Sequence, residues 1–142
     1  MMRLIVERIL RRSLAEAFRR VVLVGDPVDS DPGRPVVLYA NHHYFHDSFL
    51  LWLVLRSFGR TSVSWMAEWD RVPLFAPVGA RPFPPDDPAR RATTIRATAR
   101  SFVSNPAIGL IYFPEGVLHQ ASNGILPWSQ AWSKPNRARD TC

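Results

Sequence analysis

The segment Val36–Leu55, VVLYANHHYFHDSFLLWLVL, contains the succession of patterns that decides the fold. It begins with a continuous apolar run, Val36–Ala40, which is typical of a strand buried on both faces of a sheet. It ends in a second apolar run, for which we predict a buried helix from about Phe49 to Ser57. Asp47 or Ser48 can cap that helix at its start. A strand followed by a short polar loop and a helix is the repeating unit of α/β domains.

The rest of the chain repeats this alternation. Residues 2–20 carry apolar side chains at helical spacing, with arginines mostly elsewhere. A surface helix covering the core and a helix lying on anionic lipid both fit that pattern. Asp87 and Pro88 form an N-cap and N1 pair that begins a helix over Ala89–Ser104. Its predicted apolar stripe consists of Ala92, Ile95, Ala99, Phe102 and Val103.

Three further apolar runs have the length of strands. They are Val21–Val24, Ser62–Met66 and Ile108–Phe113. Gly59 is the predicted stop signal of the first buried helix, and the proline-rich stretch 68–85 is expected to be irregular. We therefore predict an α/β fold: one domain with a mostly parallel or mixed sheet, flanked by helices and preceded by an N-terminal amphipathic helix.

Length, composition and charge narrow the function. A chain of 142 residues, 46% hydrophobic, suffices for one domain and is too short for two. We expect a domain over 1–132, incomplete at its carboxyl-terminal end, and an irregular tail over 133–142. The net charge of +6 favours anionic partners such as phospholipid headgroups. No nucleic-acid-binding signature is present, so we expect no nucleic-acid partner. A single cysteine, Cys142, favours a reducing compartment.

The loop after the first buried strand carries the candidate chemistry. The predicted strand delivers Asn41 and His42 at its carboxyl end, where sites form in open α/β sheets. Asp47 lies at a helix start, where the helix dipole stabilises a carboxylate. Such a carboxylate can accept one imidazole N–H and leave the other nitrogen as a base for a hydroxyl. Two other interpretations remain open: a loop histidine bonded to a capping aspartate, and a metal site that includes His43 and His46.

Two motifs carry a resemblance to a known family. Asn41-His42, with four residues before Asp47, resembles the NH-x4-D motif of the glycerolipid acyltransferase superfamily. That superfamily includes glycerol-3-phosphate and lysophosphatidic acid acyltransferases. Its second motif, Phe-Pro-Glu-Gly after a strand, is matched at 113–116. The pair is more specific than either motif alone, and the resemblance extends from about Val36 to Trp132.

The resemblance implies transfer of a fatty acyl group from acyl-CoA or acyl-carrier protein to a hydroxyl of a lipid-type or small acceptor. By the family pattern, His42 is the general base and Asp47 orients it. The substrate-binding residues expected on the same basis are Asn41, Glu115, Gly116 and Arg81. No metal or prosthetic group is expected, since the acyl thioester is a cosubstrate. The family usually continues its second motif as Gly-Thr-Arg-Ser; this chain has Gly116-Val-Leu-His, so a phosphorylated acceptor is not implied.

Two rival functions follow from the same residues. The first is a metal-dependent hydrolase that uses His43, His46 and Asp47. The second is a non-catalytic membrane-binding module or remnant. No apolar run approaches the length of a spanning helix. We therefore expect a location in the cytoplasm or, for the acyltransferase, peripheral contact with the cytoplasmic side of a membrane.

Overall fold

The computed structural model describes residues 1–24, 31 and 33–115, and it contains a parallel sheet with helices on both faces. The helices are α1 (Met2–Ala17), α2 (Asp47–Ser57), a 3-10 helix (Pro73–Val78) and α3 (Pro88–Ser104). The strands are β1 (Val36–Tyr39), β2 (Thr61–Met66), β3 (Ala80–Pro82) and β4 (Ile108–Tyr112). They lie in the order β1-β4-β2-β3. The predicted α/β class is confirmed, with every strand pair parallel.

The pairing of β1 with β4 positions the two motif segments. Val36 is opposite Gly109 and Tyr39 is opposite Tyr112, so the two strands end at the same level. Ala40 extends the pairing by donating its N–H to the Tyr112 carbonyl oxygen at 3.3 Å. Because parallel neighbours leave the sheet at the same edge, the loop after β1 and the turn after β4 emerge side by side.

One face of the sheet is covered by α1 and α2. Val6 and Leu10 of α1 pack with Trp52 and Leu55 of α2 against Ile111 of β4. The buried residues of α1 recur every fourth position, through Leu14, so this helix covers the core. Ile5 and Ile9 belong to the same helically spaced apolar residues of the sequence, but both are about half exposed.

The other face of the sheet is covered by α3, which buries only part of its predicted stripe: Phe102 packs against Val63, Ile108 and Leu110. Thr94 and Thr98 are buried, whereas Ile95 is 37% and Val103 is 89% exposed. The threonine hydroxyls form hydrogen bonds with other elements: Thr94 donates to the Pro82 carbonyl oxygen at 2.6 Å, and Trp65 Nε1 donates to Thr98 Oγ1 at 3.1 Å. Hydrogen-bonded threonines can be buried at a low cost in free energy. A buried face predicted from apolar residues alone therefore omits them.

The helix boundaries bear out two of the predicted signals. The Asp87 carboxylate accepts the Arg90 N–H at 2.8 Å and caps α3, and Pro88 is its first residue. Gly59 follows the last turn of α2 with a positive φ of 69°, a conformation that glycine adopts without strain.

Three local predictions were wrong. β1 lies at the edge of the sheet that the described residues form, and Tyr39 is 62% exposed, so this strand is not buried on both faces. Val21–Val24 is exposed and forms no strand. The stretch 68–85 contains the 3-10 helix and β3, which Gly79 joins with φ at 103°. A Cβ at Gly79 would overlap the Ser62 carbonyl oxygen, so this connection requires glycine.

Close packing of α2 on β4 generates the first prediction. A Cβ on Gly109 would overlap the end of the Leu55 side chain, with Cδ1 only 2.8 Å away, and Leu55 is 1% exposed. Gly109→Ala is therefore expected to lower the free energy of unfolding by roughly 1–3 kcal/mol, the usual cost of overpacking. Urea denaturation measures it.

A double-mutant cycle tests the cause. Leu55→Val removes a methylene from the overlap, so Gly109→Ala should cost less in that background than in the wild type. Equal costs in both backgrounds, or an unchanged midpoint for Gly109→Ala alone, would show that Leu55 does not limit the approach of α2.

Candidate active site

The two motif segments meet at the carboxyl edge of β1 and β4. The His42 backbone N–H donates to Glu115 Oε2 at 3.1 Å, across a separation of 73 positions in the chain. Glu115 is only 5% exposed. A buried carboxylate is stable only when its oxygens are hydrogen-bonded, and the His42 amide is one of its donors. Glu115 therefore fixes the start of the histidine loop.

Asp47 closes the other end of that loop. Its Oδ2 accepts two backbone N–H groups, from His43 at 2.8 Å and from Tyr44 at 2.7 Å. Asp47 is the first residue of α2, and the residue before it, His46, makes no side-chain capping bond. The prediction that Asp47 or Ser48 caps the helix was wrong, because the carboxylate points back and binds the loop amides.

The His42 imidazole lies between an aromatic ring and this carboxylate. It stacks on Phe113 with ring centroids 4.2 Å apart and planes inclined by 18°. Its Nδ1 lies 3.5 Å from Asp47 Oδ2, and both side chains are about one-fifth exposed. The separation exceeds that of a good hydrogen bond, so the two groups are close neighbours without a direct bond. Because Nδ1 faces Asp47, Nε2 is the ring nitrogen on the edge away from the carboxylate.

His46 contacts α1 and the apolar side chains around the start of α2. Its Nε2 lies 3.1 Å from Ser13 Oγ on α1. Its ring makes edge contacts, with centroids 5.4–5.8 Å apart, to Phe18, Phe45 and Phe49. His46 therefore packs α1 against the start of α2. Spacing within the loop could not predict this, since Ser13 and Phe18 are distant in sequence.

The side chains of His43, His46 and Asp47, the residues of the metal-site hypothesis, do not converge on one point. His46 is directed at Ser13, and Asp47 Oδ2 is occupied by two loop amides. Within the described ranges, no three His, Cys, Asp or Glu side chains are grouped so that they could hold a metal ion. A hydrolase built on His43, His46 and Asp47 would need a rearranged loop.

A cleft of about 560 Å³ opens between the end of α1 and the histidine loop. Its apolar walls are Ala17, Phe18 and Leu50. Asn41, His43, Tyr44 and Asp47 line the remainder. The volume lies within the range of small-molecule sites. Asn41, His43 and Asp47 thus line one cleft, whereas His42 is not among its lining residues.

The other two predicted binding residues are not part of this cluster. Arg81 lies on β3, and its Nη1 donates to the neighbouring Ala80 carbonyl oxygen at 3.1 Å. Two strands separate β3 from β1, the strand that precedes His42. Arg81 therefore lies roughly 14 Å from β1 along the sheet. Gly116 lies outside the described residues.

The two hydrogen bonds that Asp47 Oδ2 accepts generate the second prediction. Asp47→Ala should accelerate hydrogen exchange of the His43 and Tyr44 amides on the order of tenfold to a hundredfold. Hydrogen bonds to a charged acceptor contribute roughly 1.5–3 kcal/mol, and this change removes the acceptor of both amides. Residue-resolved exchange measured by NMR gives the rates.

Two variants serve as controls. Asp47→Asn keeps an acceptor oxygen and should have a smaller effect on both amides. Asp87→Ala removes the analogous bond at the start of α3 and should leave the loop amides unchanged. Unaltered His43 and Tyr44 exchange in Asp47→Ala would contradict the role assigned to this carboxylate.

Comparison with known proteins does not assign this chain to a family. The chain matches no protein-family model, no curated protein and no solved structure.

Proposed function

We propose that this protein is an O-acyltransferase that moves a fatty acyl group from acyl-CoA or acyl-carrier protein to a hydroxyl of a lipid-type acceptor, a reaction of phospholipid or related lipid biosynthesis. The observation that carries the proposal is the approach of His42 Nδ1 to Asp47 Oδ2, at 3.5 Å, beside the buried Glu115. The resemblance of both motifs to the glycerolipid acyltransferase superfamily supports the same reaction.

Base catalysis by His42 starts the reaction. Its Nε2 takes the proton of the acceptor hydroxyl while the ring is held by Phe113 on one face and by Asp47 at Nδ1. The Asp47 carboxylate stabilises the imidazolium that forms, because opposite charges at this distance attract in a partly buried site. No nucleophilic side chain of the protein takes part.

The acyl group is transferred in two bond changes. The acceptor oxygen attacks the thioester carbonyl carbon, and a tetrahedral oxyanion forms. Its collapse breaks the C–S bond and expels a thiolate, to which the imidazolium returns the proton. The products are an ester and a free thiol, and His42 is neutral again.

The cleft suits an apolar chain ending at a polar centre. Ala17, Phe18 and Leu50 would contact the hydrocarbon, and Asn41 and His43 would contact polar groups near the reacting carbonyl. Glu115 acts through the loop, since its carboxylate holds the His42 amide. Arg81 remains a predicted binding residue only for an acceptor long enough to reach β3.

The third prediction concerns transfer rates. His42→Ala should lower acyl transfer from labelled acyl-CoA to a lipid extract by about 10²–10⁴-fold, the usual contribution of a general base. Asp47→Asn should lower the rate as well, because it removes the charge that stabilises the imidazolium.

Control experiments distinguish acyl transfer by His42 from the two rival functions. His43→Ala alters a neighbouring histidine that is not the base, so its rate should remain far above that of His42→Ala. A wild-type rate for His42→Ala would overturn the mechanism. Stoichiometric zinc with chelator-sensitive hydrolysis would favour the metal-dependent hydrolase, and membrane binding without transfer would favour a non-catalytic module.

A further inference from the structure

We propose that the protein docks on anionic bilayers through the carboxyl edge of its sheet, so that the cleft between α1 and the histidine loop opens at the membrane surface. The proposal rests on the acyltransferase function and names the surface that brings its site to lipid. The docking surface, termed the rim patch, consists of Arg19, Arg20, Val21, Val22, Tyr44 and Phe45.

The direction of α1 places both parts of the rim patch at this edge. Near the start of α1, Arg3 and Glu7 line a small cavity with Thr61 and Ile108, the first residues of β2 and β4. After its end, Phe18 contacts His46. The helix therefore runs from the amino edge to the carboxyl edge of the sheet.

The two segments of the rim patch are close in space. Residues 19–22 follow Phe18 directly, and each residue extends the chain by at most about 3.6 Å. Phe18 and Tyr44 line the same cleft, and Phe45 contacts His46. Tyr44 lines the cleft, Phe45 follows it, and residues 19–22 begin at the cleft and lie within about 14 Å of Phe18.

The rim patch exposes large apolar side chains. Phe45 is 62%, Tyr44 is 64%, Val22 is 58% and Val21 is 44% exposed. Amphipathic aromatic side chains such as that of tyrosine favour a membrane–water interface. None of the helices in the described ranges combines the length and apolarity needed to span a bilayer.

The charges of the rim patch specify an anionic partner. Arg19 and Arg20 are exposed, and neither forms an ion pair with any residue that the structure describes. After β2, acidic residues are neutralised instead: Arg71 lies 3.2 Å from Glu68, and Arg90 binds Asp70 through two bonds. The Arg90 hydrogen bonds lower the pKa of Asp70. Arg19 and Arg20 therefore leave positive charge beside the cleft that no acidic side chain in the described part of the chain pairs.

The outer side of α1 is the competing surface. Met2, Ile5 and Ile9 are 57%, 49% and 47% exposed, and a helix lying flat on lipid would use them. On α1 the ion pairs Arg3–Glu7 and Arg12–Glu16 neutralise two arginines, whereas Arg8 is exposed and forms no ion pair with a described residue. Because α1 runs along the strands, this side and the carboxyl edge face different directions. Only the carboxyl edge brings the cleft to the bilayer.

Vesicle flotation without an acyl donor tests the proposal. The probes are phosphatidylcholine vesicles with and without phosphatidylglycerol. The full chain should bind the anionic vesicles more tightly. Arg19→Ala with Arg20→Ala should weaken that binding about 30-fold, from roughly 1 kcal/mol for each arginine near an anionic surface. Added salt should shrink this difference.

A matched pair of variants distinguishes the two surfaces. Phe45→Ser with Val22→Ser should weaken binding even in high salt, while Ile5→Ser with Ile9→Ser should leave it unchanged. Circular dichroism and thermal melting verify folding, and the arginine variant, altered only at exposed positions, keeps the test decisive if the apolar one does not fold. The opposite pattern would show that α1 lies flat on lipid and would overturn the proposal.

Further outcomes separate docking from catalysis. His42→Ala should bind vesicles as the wild type does. Transfer to a detergent-dispersed acceptor without vesicle binding would overturn docking and leave the acyltransferase function standing. Vesicle binding through the rim patch without transfer would overturn the function alone. Rim-patch variants that change only sedimentation would show a second copy of the chain on this surface, and docking on lipid would be wrong.

Discussion

A single carboxylate oxygen, Asp47 Oδ2, organises the histidine loop. Two backbone N–H groups donate to it within 2.8 Å, and the His42 imidazole approaches the same atom. An acceptor with two short hydrogen bonds has little freedom to turn, so the carboxylate is fixed before any substrate arrives. The position of the His42 imidazole, the base in the proposed reaction, then follows from the position of the loop. Electrostatic groups held in place in this way avoid reorganisation during the reaction.

The parallel pairing of β1 and β4 provides the second constraint. It brings Glu115 to the His42 amide and Phe113 to the imidazole, although these residues lie far apart in sequence. Phe113 and Glu115 therefore act on opposite ends of one residue, its ring and its backbone. A rigid sheet edge suits such a site, since residues at strand ends are held more firmly than those within long loops.

The sequence allowed prediction of features that depend on local signals. The Asp87–Pro88 start of α3 is one, and the meeting of the two motif segments follows from strands that end at the same edge. Features set by tertiary contacts were missed. The buried face of α3 uses Thr94 and Thr98, whose hydroxyls find partners only after folding. The packing of His46 depends on α1, and the inward turn of Asp47 depends on amides that only the folded loop presents.

The most direct test of the central claim compares the two products in one reaction. Purified protein, labelled acyl-CoA and a lipid extract are incubated together, and free thiol and acyl ester are measured over time. Attack by an acceptor hydroxyl activated by His42 predicts equimolar thiol and ester in the wild type, with both lost in His42→Ala. Thiol released without ester, or equal products from wild type and His42→Ala, would contradict it.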